Sequence, residues 1–207
     1  MFDRDVKTVA FFDAEFTSKS DGQNRGEQEL IQYAILIYKV IEKHGHTTLS
    51  NDPIFEATSF VKPSMKPVLS KYIKRLTKIT QQDVDDGKPL VDAVDDIYNA
   101  LKKYNTTDVY VWGPDRLVLR TNLLLTKSDT DNSRFVCGKF KDLSRKISQK
   151  LGYDRPITQH AASEKLHLAE IGSQHNAYYD ALNLAQIYRQ MFCIKPWHQS
   201  EFSLWYK

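Results

Sequence analysis

The run TVAFFDAEF, residues 8–16, is the feature that most constrains the fold of this chain. It is rich in β-branched and aromatic residues, and its apolar residues occupy successive positions instead of alternating with polar ones. A strand that is apolar on both faces is typical of the middle of a sheet that is covered on both sides. The run therefore predicts a central strand.

Four further segments have the composition of strands: ELIQYAILIYKVI (29–41), IFEATSFVKP (54–63), DVYVWG (108–113) and RFVCGKFKDL (134–143). Gly45 is the predicted hairpin turn after the second strand, and Pro63 ends the third. Since short links join the first three strands, they predict an antiparallel meander.

Helical spacing of apolar residues dominates the rest of the chain. The predicted helices cover 67–76, a turn that starts at Thr80, 89–104, 115–127, 143–152, 158–166 and 175–192. Three antiparallel strands followed by alternating helices and strands predict an α/β fold with a five-stranded mixed sheet and helices on both faces.

Length and composition predict a soluble globular protein with a single domain over residues 1–207. The chain has 207 residues, of which 41% are hydrophobic and 27% charged. Its core is expected at about 8–191, followed by an aromatic tail at 192–207. No apolar run approaches the roughly 20 residues of a membrane-spanning helix, and the N-terminus lacks the apolar core of a secretion signal. Cys137 and Cys193 belong to no paired motif, so a cytoplasmic location is expected.

The charges lie in blocks along the chain. Residues 57–82 carry six basic residues and no acid, whereas residues 83–96 carry six aspartates and one lysine. Such blocks are either solvated helix faces or a basic wall that follows phosphates, and the sequence leaves both open. For the aromatic residues of the tail, packing on the domain or on a partner subunit is preferred to base binding.

Two carboxylates, Asp13 and Glu15, end the first predicted strand. Residues i and i+2 of a strand point to the same face, so each carboxylate opposes ionisation of the other unless a cation neutralises them. Carboxylate oxygens suit hard ions such as Mg²⁺ or Mn²⁺. An ordinary solvated pair is the alternative for these two residues alone.

Further candidate residues lie at the ends of other elements. Asp115 follows the fourth strand, where the alternative role is a helix N-cap. Asp180 follows His175 by five residues, so on one helix the two would lie on offset faces. His175 is therefore placed at the start of the last helix, from where it reaches a site that Asp180 faces. The alternatives are a helix-cap histidine and an exposed helix charge.

Taken in order, these motifs resemble the DEDDh family of 3′–5′ exonucleases, the DnaQ-like proteins with a ribonuclease H-like fold. The matching residues are Asp13, Glu15 and Thr17 in FFDAEFT, Asp115 in VYVWGPDRLVL, and His175, Ala177 and Asp180 in HNAYYDALNLAQIY. The similarity runs from about Thr8 to Met191 and looks closest to the branch of bacterial sporulation-inhibitor-type exonucleases.

The resemblance implies two divalent metal ions, Mg²⁺ or Mn²⁺, held by four carboxylates: Asp13, Glu15, Asp115 and Asp180. It implies His175 as the general base in hydrolysis from a 3′-hydroxyl end, which releases nucleoside 5′-monophosphates. The substrate would be single-stranded or 3′-ended RNA or DNA. The oligomeric state is left open, a homodimer included. The alternatives are a catalytically silent nucleic-acid-binding scaffold and a phosphohydrolase of dinucleotides or short oligonucleotides.

The resemblance also implies a substrate-binding set, which consists of Ala14, Phe16, Thr17, Leu76, Thr77 and Lys78. Phe16 is a possible stacking surface for a base, or else a buried aromatic at the strand end. Lys78 replaces the glycine of the family's L-T-G-I-T loop, which adds a cation near the expected path of the substrate.

Overall fold

The strands of the chain form one mixed sheet in a computed structural model that describes residues 5–17, 27–43 and 46–193. The strands are β1 (Asp5–Phe16), β2 (Leu30–Lys43), β3 (His46–Leu49), β4 (Phe55–Phe60), β5 (Thr106–Val111) and β6 (Phe140–Asp142). The helices are α1 (Lys71–Thr77), α2 (Gln81–Asp85), α3 (Leu90–Lys103), α4 (Asp115–Leu125), α5 (Asp131–Lys139), α6 (Ser144–Lys150), α7 (Gln159–Lys165) and α8 (Ala177–Phe192). The predicted turn at Gly45 and the aromatic residues of the tail, Trp197, Phe202, Trp205 and Tyr206, lie outside the described residues.

β1 lies in the middle of the sheet, as its sequence predicts. The strand order is β3-β2-β1-β5-β6, and β4 also pairs with β2. β1 is antiparallel to β2 and parallel to β5, and β5 is parallel to β6. The mixed α/β sheet and its antiparallel first part are confirmed.

The described sheet has six strands instead of the predicted five. β3 pairs with the last residues of β2, whereas β4 pairs with the earlier residues 32–37 of that strand. The segment SNDP at residues 50–53 separates β3 from β4, and it consists of residues that favour turns. β3 has only four residues, too few to show a clear alternating pattern.

The prediction of a strand over 134–143 is wrong for most of its length. Residues 131–139 form α5, and only Phe140–Asp142 form β6. The helix begins because the Thr130 side chain accepts from the Ser133 backbone and the Ser133 side chain accepts from the Thr130 backbone, which makes a capping box. Val136 and Cys137 then point into the core from one helix face.

Helices cover both faces of the sheet. The even-numbered residues Ala10, Phe12 and Ala14 of β1 pack into a core with α3, α4 and α5. The odd-numbered residues Val9 and Phe11 pack into a second core with α6, α7 and α8. The parity of β1 therefore places Asp13 and Glu15 on the α8 face. None of the helices within the described part of the chain is long and apolar enough to cross a membrane.

Candidate active site

Three carboxylates meet where β1 and α8 come together. Asp13 and Glu15 lie on the face of β1 that α8 covers, and Asp180 lies in the first turn of α8. One oxygen of each carboxylate lies within 4.8 Å of an oxygen of each of the other two. Glu15 is only 9% exposed, so the alternative of an ordinary solvated pair is wrong for this strand end.

Hydrogen bonds hold the start of α8 against the sheet. Gln32, which pairs with Glu15 across the sheet, accepts a hydrogen bond of 3.2 Å from the backbone N–H of Ala177. Asn176 caps the helix by accepting from the backbone N–H of Tyr178 at 3.1 Å. Gln159 donates to the backbone carbonyl of Asp180 at 2.7 Å. These contacts fix Asp180 beside the end of β1.

Asp115 reaches the same end of the sheet from β5. β5 is parallel to β1 and ends at Val111, and a turn at 112–114 leads into α4, whose first residue is Asp115. The side chain is 8% exposed, and its Oδ2 atom is buried with no hydrogen-bond partner among the described residues. Pro114 holds the N-cap position, so the alternative of an Asp115 N-cap is wrong.

Burial, together with the charges of neighbouring carboxylates, raises the pKa values of all four carboxylic acids. Burial, followed by the charges of Asp115 and Asp180, raises the pKa of Asp13 well above its ordinary value. Burial and the neighbouring aspartates raise the pKa of Glu15 to about 8. Burial, then Asp142 and Asp180, raise the pKa of Asp115 to about 8. Such a group is stable in its ionised form only with a cation, which is the property of a divalent metal site.

The pKa of Asp180 is lower than those of Glu15 and Asp115. Burial raises its pKa to about 6, but hydrogen bonds from the backbone of His175 and Asn176 and the charge of His175 oppose that rise. Asp180 is also partly buried, so the alternative of an exposed helix charge is wrong. The partnerless Oδ2 of Asp115 and the three-carboxylate cluster fit divalent ions, which prefer oxygen ligands.

These pKa shifts predict that the metal-free protein loses stability as pH rises. Between pH 4.5 and about pH 8 the unfolded chain ionises Glu15, whereas the folded protein keeps it protonated. Since the folded state then binds more protons, the free energy of unfolding falls across this window. We expect the thermal unfolding midpoint in EDTA to decrease as the pH rises from 4.5 to 8. With Mn²⁺ in place of EDTA, the decrease should be smaller. A midpoint in EDTA that rises across the window would contradict the raised pKa values.

His175 lies directly before the N-cap of α8, as the sequence predicts. Its side chain is exposed, and its backbone has a φ of 59°, in the left-handed region. Together with Asp13 and Asp180 it lines a cavity of about 320 Å³. The preceding loop requires a glycine at position 172. Gly172 has a φ of 66°, and a Cβ added to it would lie only 2.3 Å from the Tyr179 ring. The histidine thus ends an exposed loop in which Gly172 lies close against the Tyr179 ring.

The same cavity has a second histidine that the motifs did not indicate. His160 Nδ1 lies 2.9 Å from Glu170 Oε1 and 3.0 Å from Gln174 Nε2. The Glu170 carboxylate raises the pKa of His160. Other lining residues outside the predicted set are Trp112, Thr158, Gln159, Ser163 and Asn183. Asp142 was also missed; it accepts from the backbone N–H of Gly113 at 2.9 Å and so holds the turn before Asp115.

The predicted substrate residues of β1 have different surroundings. The Ala14 side chain is buried in the first core, and the Phe16 ring packs partly against that core. Thr17 is 2% exposed, and its hydroxyl accepts from the backbone N–H of Glu29 at 2.9 Å. Packing against the core thus explains why the Phe16 ring is partly buried. Contact of Ala14, Phe16 and Thr17 with a nucleotide stays a prediction.

The other predicted substrate residues end α1. Leu76 is partly buried, and Thr77 is 5% exposed, with its hydroxyl donating to the Ile73 carbonyl at 2.9 Å. Ile73 packs on Ile31 of β2, next to the Gln32 that pairs with Glu15. α1 therefore packs at the same end of the sheet as the carboxylates. The role of Leu76, Thr77 and Lys78 in substrate binding stays a prediction.

Lys78 has the backbone conformation that a glycine adopts most readily. It is the C-cap of α1, with a φ of 63° and a ψ of 4°. A side chain in this region costs roughly 1 kcal/mol. We expect Lys78→Gly to raise the free energy of unfolding by about that amount, and Lys74→Gly, inside α1, to lower it by about 1 kcal/mol. Denaturant unfolding measures both, and equal losses for the two variants would contradict the strain at Lys78.

A mixed sheet that ends in four buried or partly buried carboxylates beside an exposed histidine has the arrangement expected of a metal site of the kind used in phosphoryl-transfer enzymes. Comparison with known proteins gives the family. The RNase_T family model, described as an exonuclease, matches residues 10–188. The chain therefore belongs to the RNase_T exonuclease family, and the predicted DEDDh-type 3′–5′ exonuclease with a ribonuclease H-like fold is confirmed.

Two relatives are named as 3′-5′ exonucleases. The chain is 24% identical to 3′-5′ exonuclease eri1 of Schizosaccharomyces pombe, over 97% of this chain and 75% of the relative. It is 27% identical to the probable 3′-5′ exonuclease KapD of Bacillus subtilis, over 73% of this chain and 72% of the relative. The family implies divalent metal ions and a nucleic-acid substrate, and the carboxylates fit the first of these.

Solved structures show the same fold. One is a 3′-exonuclease whose structure is described as 3′-end-specific recognition of a histone mRNA stem-loop. It matches 92% of this chain with a TM-score of 0.76 and 18% identity. This chain spans 65% of the length of that one. The nuclease domain of 3′hExo, a DEDDh family member bound to rAMP, matches with a TM-score of 0.70 and 19% identity, over 92% of this chain and 94% of that one.

Proposed function

We propose that this chain hydrolyses RNA from its 3′-hydroxyl end with two divalent ions and releases nucleoside 5′-monophosphates. The observation that carries the proposal is the meeting of the Asp13, Glu15 and Asp180 oxygens within 4.8 Å, in a cavity that His175 also lines. RNA is proposed over DNA because two structural neighbours, with TM-scores of 0.76 and 0.70, are described with histone mRNA and with rAMP.

The carboxylates would hold the ions and the scissile phosphate in the cavity. Asp13, Glu15, Asp115 and Asp180 would bind two ions of Mg²⁺ or Mn²⁺, which when bound lower the pKa of water and offset the charge on the leaving 3′ oxygen. Asp115 contributes an oxygen that has no other partner among the described residues. The close packing of Gln32 and Asn176 around α8 keeps Asp180 in place during the reaction.

His175 would act as the general base. Its imidazole is exposed to the cavity, and imidazole is the side chain that gains and loses a proton most readily near neutral pH. It accepts the proton of the attacking water as the phosphodiester bond breaks, while the 3′ oxygen of the shortened strand leaves. The loop that contains Gly172 places the imidazole at the cavity that Asp13 and Asp180 also line.

The test compares RNA and DNA of one sequence, each labelled at the 3′ or the 5′ end. With Mg²⁺ or Mn²⁺ we expect the 3′ label to leave first as a mononucleotide and the 5′-labelled RNA to shorten stepwise. DNA is expected to shorten more slowly, and EDTA should stop the reaction. Activity on dinucleotides alone would favour the short-oligonucleotide alternative, and no shortening with any divalent ion would refute the proposal.

A further inference from the structure

A groove lies between α4 and α5, on the opposite face of the sheet from the active-site cavity. Its volume is about 290 Å³, and three arginines, Arg116, Arg120 and Arg134, line it. α4 and α5 both pack into the first core, whereas α7 and α8, which line the active-site cavity, pack into the second. The groove and the active-site cavity therefore lie on opposite faces of the sheet.

Two of the arginines supply the positive charge of the groove. Arg116 and Arg120 are four residues apart on α4, so they lie on one helix face about 6 Å apart along the axis. Neither forms an ion pair with any acid in the described part of the chain. Arg134, by contrast, is bound to Asp129 at 3.0 Å and to Asp131 at 2.8 Å.

The floor of the groove leaves room for a ligand. Cys137 is buried there, and the charges of Arg116 and Arg120 both oppose the rise that burial causes in the pKa of its thiol. Arg116 and Arg120 therefore lie close to this floor, as does Asp129, whose charge adds to the rise. Gly138 is exposed beside it, and a Cβ added at Gly138 would meet no atom within 4 Å. The groove that the two unpaired arginines line is thus open beside Gly138.

The groove begins beside the carboxylate site. Arg116 directly follows Asp115, and α4 runs away from the active site along the groove. To reach this groove, a strand whose 3′ end lies between Asp13 and Asp180 would pass the start of α4. Arginine guanidinium groups bind phosphate oxygens through paired, charge-assisted hydrogen bonds.

We infer that Arg116 and Arg120 bind two phosphates of the substrate strand on the 5′ side of the nucleotide being removed. The groove is then a second binding site that holds long strands and that very short ones do not reach. This role rests on the proposed exonuclease function for the direction of the strand. Its ligand is the phosphodiester backbone, so no base preference is expected.

The test is the binding of labelled RNA in EDTA, with strands of about four and about sixteen nucleotides. In Arg116→Gln/Arg120→Gln we expect about a tenfold weaker affinity for the long strand and a smaller loss for the short one. The slope of log affinity against log salt should become about 1.4 units less steep, since two phosphate contacts are lost.

The matched control is Lys146→Gln/Lys150→Gln, which removes two charges at the same spacing from α6, on the other face of the sheet. Thermal midpoints of both variants report on folding. The inference is overturned if the arginine variant loses no more affinity for the long strand than the lysine variant, or loses equally for both strand lengths. A further outcome is that the arginine variant binds the long strand more weakly than wild-type protein does, while wild-type protein leaves the 3′ end of RNA intact. That result would support the groove as a binding site and refute the proposed function.

Discussion

Replacing His175 by asparagine is expected to lower kcat by about 10²- to 10⁴-fold, the usual contribution of a general base. Asparagine suits the test because His175 has a φ of 59°, which asparagine tolerates better than alanine does. The imidazole lines the cavity but lies outside the three-carboxylate cluster, so divalent-ion affinity should change little. Single-turnover cleavage of labelled RNA measures the first effect, and calorimetric titration with Mn²⁺ measures the second.

The control for this variant is His160→Asn, which removes the other histidine of the cavity. His160 is held by Glu170 and Gln174, and among the described residues it forms no hydrogen bond or ion pair with a motif residue. We expect a much smaller loss of kcat in this variant. Loss of Mn²⁺ binding in His175→Asn would make His175 a metal ligand, and an unchanged kcat would place the general base elsewhere.

Much of the site could be predicted because its residues end elements with strong local patterns. The two-sided apolar run of β1 predicts a central strand, and residue parity then puts Asp13 and Glu15 on one face. His175 and Asp180 follow from the long periodic pattern of α8. The structure adds that Asp115 is buried and is not the N-cap of α4. Its position depends on the backbone of the 112–114 turn, which Asp142 holds.

What the sequence could not show depends on contacts between distant segments. The cavity partners His160, Glu170 and Gln174 come together from α7 and from the loop before α8, and no spacing along the chain relates them. The arginine groove was hidden because residues 134–143 predict a strand. With α5 in its place, Arg134 and Cys137 face Arg116 across a groove that a strand would not have formed.

Lys78, at the glycine position of the family loop, has a conformation that is more favourable for glycine. Lys78 keeps the left-handed conformation at the end of α1, and the Thr77 hydroxyl accepts from the backbone N–H of Ile79 at 3.1 Å. Ile73 and Ile79 are both buried in the same small cluster on either side of it. The burial of these neighbours offsets the cost of a side chain in the left-handed conformation at Lys78.

Glu15→Gln is expected to stabilise the metal-free protein while it removes activity. Above pH 8 the folded protein has to ionise a carboxylate whose pKa is raised to about 8 by burial and by Asp180 and Asp115. Removing that charge should raise the free energy of unfolding in EDTA by an amount on the order of a few kcal/mol. It should also flatten the fall of stability between pH 4.5 and pH 8.

The same variant should lose divalent-ion affinity by at least tenfold, because changes to groups that only support a metal ligand already cost about that much. We expect kcat to fall by about 10²-fold or more, since the ions offset the charge of the reacting phosphate. Mn²⁺ should then protect wild-type protein from thermal unfolding far more than it protects Glu15→Gln.

Asp108→Asn is the matched control, because Asp108 pairs with Val9 of β1 at the other end of β5 from the site. It should leave both activity and the Mn²⁺-dependent rise of the thermal midpoint in place. A Glu15→Gln protein that is less stable than wild type in EDTA at pH 8 would mean that the carboxylate is held by favourable contacts without metal. A stability gain together with lost Mn²⁺ protection would instead show that the carboxylates at the end of β1 oppose folding until a cation joins them.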